Sequence, residues 1–247
     1  MSDDDRALLE VRGLTKSFGG VRAVDAVDLT LAAGELLAVI GPNGCGKTTL
    51  FNLLTGQLRP DTGSVRIGGL EVAGLAPDRI ARQGVGRKFQ VPSVYDELTV
   101  AENLAIARLA APKTRRSAAD GLLERVGLAD RTDWSAGSLS HGQKQWLEIA
   151  MVLATRPRLV LLDEPTAGMT RAETLATIDL VRRLRDEEGV ATIVIEHDMA
   201  AVAALGGRVA AMISGRVVVE GSFDTVRAHP AVIEAYLGTT ATGTPHA

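Results

Sequence analysis

Leu36-Leu37-Ala38-Val39-Ile40 is an unbroken apolar run of strand length that ends in a glycine-rich turn. A strand with no polar face suits burial on both sides, as in a parallel sheet. Leu159 to Leu162 and Ala191 to Ile195 read the same way. Elsewhere the period is two. Val27, Leu29 and Leu31 alternate with Asp28 and Thr30, predicting a half-buried strand. Leu8 to Val11 and Ser64 to Ile67 predict further strands, the second entering a turn at Gly68-Gly69. Val209 to Ile213 and Val217 to Val219 flank Ser214-Gly215, which predicts a hairpin.

The middle of the chain changes period. Thr99-Val100-Ala101-Glu102 has capping-box spacing and predicts a helix through Arg108. Leu122 to Val126 continues in helical style after a polar, basic linker, Pro112 to Ser117. Ser140 and Gln143 repeat the capping-box spacing before a helix whose inner face would carry Trp146, Ile149, Ala150 and Leu153. Leu175, Ile178, Val181 and Leu184 step by three along another helix, and Asp186-Glu187-Glu188 reads as its solvated end. Residues of roughly 90–150 thus form a helical segment inserted into a sheet-based core. One domain is expected over residues 6–238, with a small, polar, disordered tail at 239–247.

Chemistry enters at Gly41-Pro42-Asn43-Gly44-Cys45-Gly46-Lys47-Thr48, which fits G-x-x-x-x-G-K-[ST]. Its glycines allow consecutive backbone N–H groups to converge on phosphate. Lys47 offers a mobile charge to the β- and γ-phosphates, and Thr48, followed by Thr49, offers a hydroxyl to Mg²⁺. A helix from Lys47, stopped by Gly56, would set its positive dipole end behind the phosphates. Cys45 reads as a tolerated small side chain. The strand at Leu159 ends in Asp163-Glu164, the first placed to reach Mg²⁺ through water and the second to polarise an attacking water. His197 ends another apolar strand, where an imidazole can bond the γ-phosphate or that water. ATP and Mg²⁺ are the implied cofactors.

Composition narrows the class. The 247 residues are 46% hydrophobic and 23% charged, an ordinary globular balance. A net charge of −3 argues against a primarily nucleic-acid-binding protein. One cysteine permits neither an intrachain disulfide nor a cysteine zinc cluster. The start, Met1-Ser2-Asp3-Asp4-Asp5, is acidic where a secretory signal is basic. No apolar run approaches the ~20 residues that span a bilayer, so any membrane work needs other chains.

Leu139-Ser140-His141-Gly142-Gln143 resembles the signature of ABC ATPases, usually Leu-Ser-Gly-Gly-Gln. With Gln90 between the phosphate loop and this signature, Asp163-Glu164 shortly after it and His197 last, the order is that family's, so the likeness runs from about Leu8 to Leu237. The resemblance implies an α/β fold, the P-loop NTPase form of an ABC ATPase, with a RecA-like core, an N-terminal antiparallel β subdomain and an inserted helical subdomain. It implies that Phe18 stacks on adenine and that Gln90 contacts Mg²⁺ and water and links to the membrane subunit. It also implies that Ser140, Gly142 and Gln143 bind the nucleotide held by an opposite subunit. Partners would be a second ABC ATPase, as homodimer or heterodimer, transmembrane permease subunits and, indirectly, a solute-binding protein, with the chain at the cytoplasmic face of the membrane.

Two positions depart from the pattern: His141 replaces the first glycine of the pair, and Ala167-Gly168-Met169-Thr170 lacks the usual aspartate or asparagine. Gly86 to Gln90, Leu139 to Glu148 and Ala167 to Thr170 look like urea importer ATPases, within the branched-chain amino-acid importer group, and the ending Glu234 to Gly238 is similar to endings across that group. Urea is the expected solute, with branched-chain amino acids as the alternative. A soluble ABC ATPase acting on nucleic acid or ribosomes and a regulatory ATP-binding module are the rival classes.

Overall fold

A computed structural model describes residues 7–89, 93–110 and 121–237. The expected linker at Pro112 to Ser117, the tail at 239–247 and Gln90 lie outside the described residues.

Two sheets carry the fold. The first is antiparallel, in the order β2 (Val21–Leu31), β1 (Leu9–Phe18), β4 (Thr62–Ile67), β5 (Leu70–Glu71). The second has the order β10 (Arg216–Gly221), β9 (Arg208–Ile213), β3 (Leu36–Ile40), β8 (Ala191–Ile195), β7 (Leu159–Asp163), β6 (Val85–Lys88). All its neighbours run parallel except the β9–β10 hairpin. Every residue of β3, β7 and β8 is buried, as their unbroken apolar runs require. β1 is longer than the four residues its alternation suggested. Register shifts along the β1–β2 pair, from Val11 to Ser17, break the period of two and conceal the strand's second half.

The helices are α1 (Lys47–Leu54), α2 (Pro77–Arg82), α3 (Val100–Ala110), α4 (Leu122–Arg125), α5 (His141–Ala154), α6 (Arg171–Asp186), α7 (Met199–Leu205), α8 (Phe223–Arg227) and α9 (Pro230–Leu237). Thr99 caps α3 as expected, its hydroxyl accepting from Glu102 N while Glu102 accepts from Thr99 N. Ser140 and Gln143 cap α5 in the same reciprocal way. α3, α4 and α5 intervene between β6 and β7, which are neighbours in the sheet. α5 is not set apart from the sheet: Leu147, Ile149, Ala150 and Leu153 share one core with Val160, Leu162 and Val194. On α6, Ile178, Val181 and Leu184 are buried, but Leu175 is exposed and Leu180 takes its place in the core. The acidic run after α6 is more engaged than a solvated end, since Glu188 pairs with Arg125 at 2.6 Å.

Candidate functional site

Parallel β3, β7 and β8 all point their C-terminal ends the same way, so the segments leaving them meet at one edge. There a cleft of about 450 Å³ is lined by Ala23, by Asn43, Gly44 and Gly46 to Thr49, by Glu164 and by His197. One strand end supplies the phosphate-type loop, the next the paired carboxylates, the third the histidine.

The loop's glycines answer to protein as much as to ligand. A Cβ on Gly46 would stand 2.0 Å from the Ala23 carbonyl oxygen, and one on Gly41 would stand 2.1 Å from that of Met212. Gly46 also has φ +107, which L-residues avoid. At both positions neighbouring backbone excludes a side chain, whatever the loop holds. Gly215, in the β9–β10 turn, donates to Cys45 O at 2.9 Å and accepts from Asp25 N, which fixes the loop from behind. Cys45 is buried, and burial pushes its thiol pKa up, so it packs as a small apolar group. The Lys47 ammonium donates to Gly41 O at 2.7 Å and Pro42 O at 3.1 Å, folding it over its own loop.

Asp163 and Glu164 diverge although adjacent. Asp163 is buried and pairs through Oδ2 with Arg87 at 3.1 Å. Burial raises its pKa, against the pull of Arg87. Glu164 turns into the cleft from a left-handed backbone conformation, φ +46, held where its N–H donates to Ile195 O. Such a conformation is costly for a residue with a Cβ and gathers at functional positions. His197 Nδ1 stands 3.6 Å from Glu164 Oε1. Glu196, which sequence reasoning passed over, is buried and accepts from Thr166 N and Oγ1 at 3.1 and 2.7 Å. It thereby ties the end of β8 to the segment after Glu164.

Other expected residues stand elsewhere. Phe18 is 47% exposed at the end of β1, with the Lys16 ammonium 5.7 Å over its ring, and does not line the cleft. Ala23, not anticipated, does. Ser140, Gly142 and Gln143 lie at the start of α5, outside the cleft's lining. The start of α6 lies against them: Glu173 accepts from Ser140 Oγ at 3.3 Å and from Thr170 N and Oγ1 at 2.9 and 2.8 Å. Thr170 caps α6, its hydroxyl accepting from Glu173 N.

The site's oxygen donors suit magnesium, a hard cation. Thr48 lines the cleft, and Asp163 Oδ1 takes no hydrogen bond among the described residues. With the loop's amides and the start of α1, they make a nucleotide–magnesium site in their chemistry.

The family described as ABC transporter matches residues 24–167, and the chain belongs to it. It is accordingly an ATPase whose hydrolysis is coupled to transport, and its ligand is ATP or ADP. Within that family, residues 216–242 match the branched-chain amino acid ATP-binding cassette transporters.

The chain is 40% identical to the high-affinity branched-chain amino acid transport ATP-binding protein BraF of Pseudomonas aeruginosa, over 94% of its length and 98% of that protein's. It is 38% identical to LivG of Escherichia coli K12, with the same coverage and the same printed role. Among solved structures, the ADP conformation of MJ1267, an ATP-binding cassette of an ABC transporter, superposes with a TM-score of 0.85 at 30% identity. That match covers 94% of this chain and 99% of the other. The fold expected from the sequence is thus the observed one.

Proposed function

We propose that this chain energises a branched-chain amino-acid importer by closing with a second cassette around ATP and magnesium. The observation that carries the reading is a separation. The phosphate loop, Glu164 and His197 share one cleft, while Ser140, Gly142 and Gln143 stand outside it. A second copy, or a paralogous cassette, set head to tail brings its signature to the cleft and completes it. A dimeric post-hydrolysis cassette, MJ0796 with ADP and Pi, is among the related structures, at 25% identity and a TM-score of 0.77 over 87% of this chain and 98% of that one.

In this reading Thr48 and Asp163 hold the magnesium ion, with Gln90 as a further contact, and the ion neutralises phosphate charge. Glu164 takes the proton of the attacking water, and His197 steadies the γ-phosphate. Lys47 leaves its loop carbonyls for the phosphates, exchanging neutral acceptors for charged ones. The γ-phosphate is the differential contact: present, it holds the two chains closed; cleaved, it releases them.

Force then has to reach a membrane. No helix among the described residues is long and apolar enough to cross one, so transmembrane permease subunits do the spanning and the chain sits on their inner face. A second cleft, mostly apolar and of about 520 Å³, opens beside Phe89, with Met151 and Val152 on its walls, and suits their docking. A solute-binding protein would deliver the solute from the other side. For that solute, the relatives favour branched-chain amino acids over the urea expected from the sequence. The stretches that resemble urea importers belong to a subunit that does not touch the solute, so they carry no chemistry that selects it.

Glu164→Gln tests the reading. Phosphate release should fall at least 100-fold, and ATP with magnesium should shift the variant to a dimer on gel filtration. In a deletion strain, wild type should restore uptake of labelled leucine and not of urea. Rapid hydrolysis by the variant, or a chain that stays monomeric with its permeases supplied, would sink it.

A further inference from the structure

His141 stands where the family usually has glycine, and its ring turns along its own chain. His141 Nε2 lies 2.8 Å from Gln145 Nε2, and the same nitrogen donates to the Ala167 carbonyl at 3.0 Å. A Cβ on Gly168 would meet His141 Cδ2 and Nε2 at 3.3 Å, so the imidazole lies over that glycine. Gln145 is fully buried, and its Oε1 has no hydrogen-bond partner among the described residues.

These contacts fix the protons. The Ala167 carbonyl can only accept, so the Gln145 amide turns its NH₂ there. Its other N–H points at His141 Nε2, which must accept and therefore carries no proton. Turning the amide over would set Oε1 against the carbonyl oxygen, two acceptors face to face. The orphaned Oε1 is the cost of this arrangement, and it argues that the bridge to Ala167 is what Gln145 is held for. Glu173 supplies a second link between the same two elements through Ser140 and Thr170.

We propose that His141 is a positioning residue: through Gln145 it locks the segment Ala167–Thr170, which leaves Glu164, to the start of α5. The signature that grips a partner's ATP and the segment following the chain's own water-activating carboxylate then move as one piece. Gly168 has φ +72, which favours glycine on its own account, and its bare Cα leaves the His141 ring in close contact. This inference rests on the proposed two-chain site, but the lock exists within one chain and is read there.

The test compares His141→Gln, whose Oε1 reaches the place of Nε2 as an acceptor, with His141→Leu, which keeps bulk and loses it. His141 is exposed, so both should fold, which thermal melts check. In the nucleotide-free chain, amide hydrogen exchange over residues 167–170 should quicken about tenfold in His141→Leu, the factor one hydrogen bond is worth, and stay near wild type in His141→Gln. kcat for ATP should follow the same order with KM little changed. Unchanged exchange in His141→Leu, or a Gln variant that behaves like Leu, overturns the proposal. Glu164→Gln dimerisation is scored separately: loss there removes the two-chain reading, while intact dimerisation with unaltered exchange removes only this one.

Discussion

Arg87 and Asp163 pair at 3.1 Å with both side chains only 6% exposed, so the carboxylate assigned to magnesium already has a cationic neighbour. Arg87 also donates to Asn52 Oδ1 at 2.6 Å and stands over the rings of Phe51 and Phe89. One guanidinium thus joins α1, β6 and β7. Removing one member of a buried pair leaves an uncompensated charge. Arg87→Met should cost about 3 kcal/mol in urea unfolding. A loss under about 0.5 kcal/mol, the usual surface value, would mean the pair is not buried in solution.

Gly46 faces two independent constraints, the Ala23 carbonyl and a left-handed backbone. Gly46→Ala should therefore displace β2 or the loop. Binding of a fluorescent ATP analogue should weaken at least tenfold, with a Tm several degrees lower, since backbone strain of ~1–3 kcal/mol adds to the clash. Gly44 has φ +78 but nothing near its missing Cβ. Gly44→Ala should then be the milder change in melting temperature, and the reverse order would refute the packing argument.

Glu148 lies buried beside the second cleft, 3.9 Å from the equally buried Lys88, and burial raises its pKa from 4.5 to about 7. A folded-state pKa above the unfolded one means the native protein binds more protons in between. Stability from this group is thus greatest below about pH 4.5 and declines as pH rises to about 7. Glu148→Gln removes that decline. The Tm of the variant relative to wild type should climb between pH 5 and 7, by about 2–4 °C for each kcal/mol involved. Lys88, whose pKa burial lowers, carries the opposite sign: the native state binds fewer protons there, so its contribution to stability grows as pH rises. Parallel Tm curves would show that Glu148 is ionised throughout.

Local chemistry was legible in the sequence wherever neighbours in space are neighbours in the chain. The strand–loop–helix around Lys47, the reciprocal caps at Thr99 and Ser140, and the carboxylates ending β7 all follow from spacing. Arg87 on Asp163, Gln145 on Ala167 and Glu196 on Thr166 join segments 22 or more residues apart. No periodicity announces such pairs. Phe18 reads as a stacking residue by family resemblance alone, and the shifts in β1 hide the length of the strand that it ends. Glu196 did leave a trace, a carboxylate closing an apolar strand, but the neighbouring histidine drew the chemistry to itself.

β6 and β7 lie side by side, yet α3, α4 and α5 come between them in the chain as one excursion. The exit and the re-entry are pinned one strand spacing apart by the sheet itself, so a longer connection within the excursion, away from the face of α5 that packs on the sheet, costs little closure entropy. The excursion's length is thereby free to change while the hydrolytic edge of the sheet stays as it is.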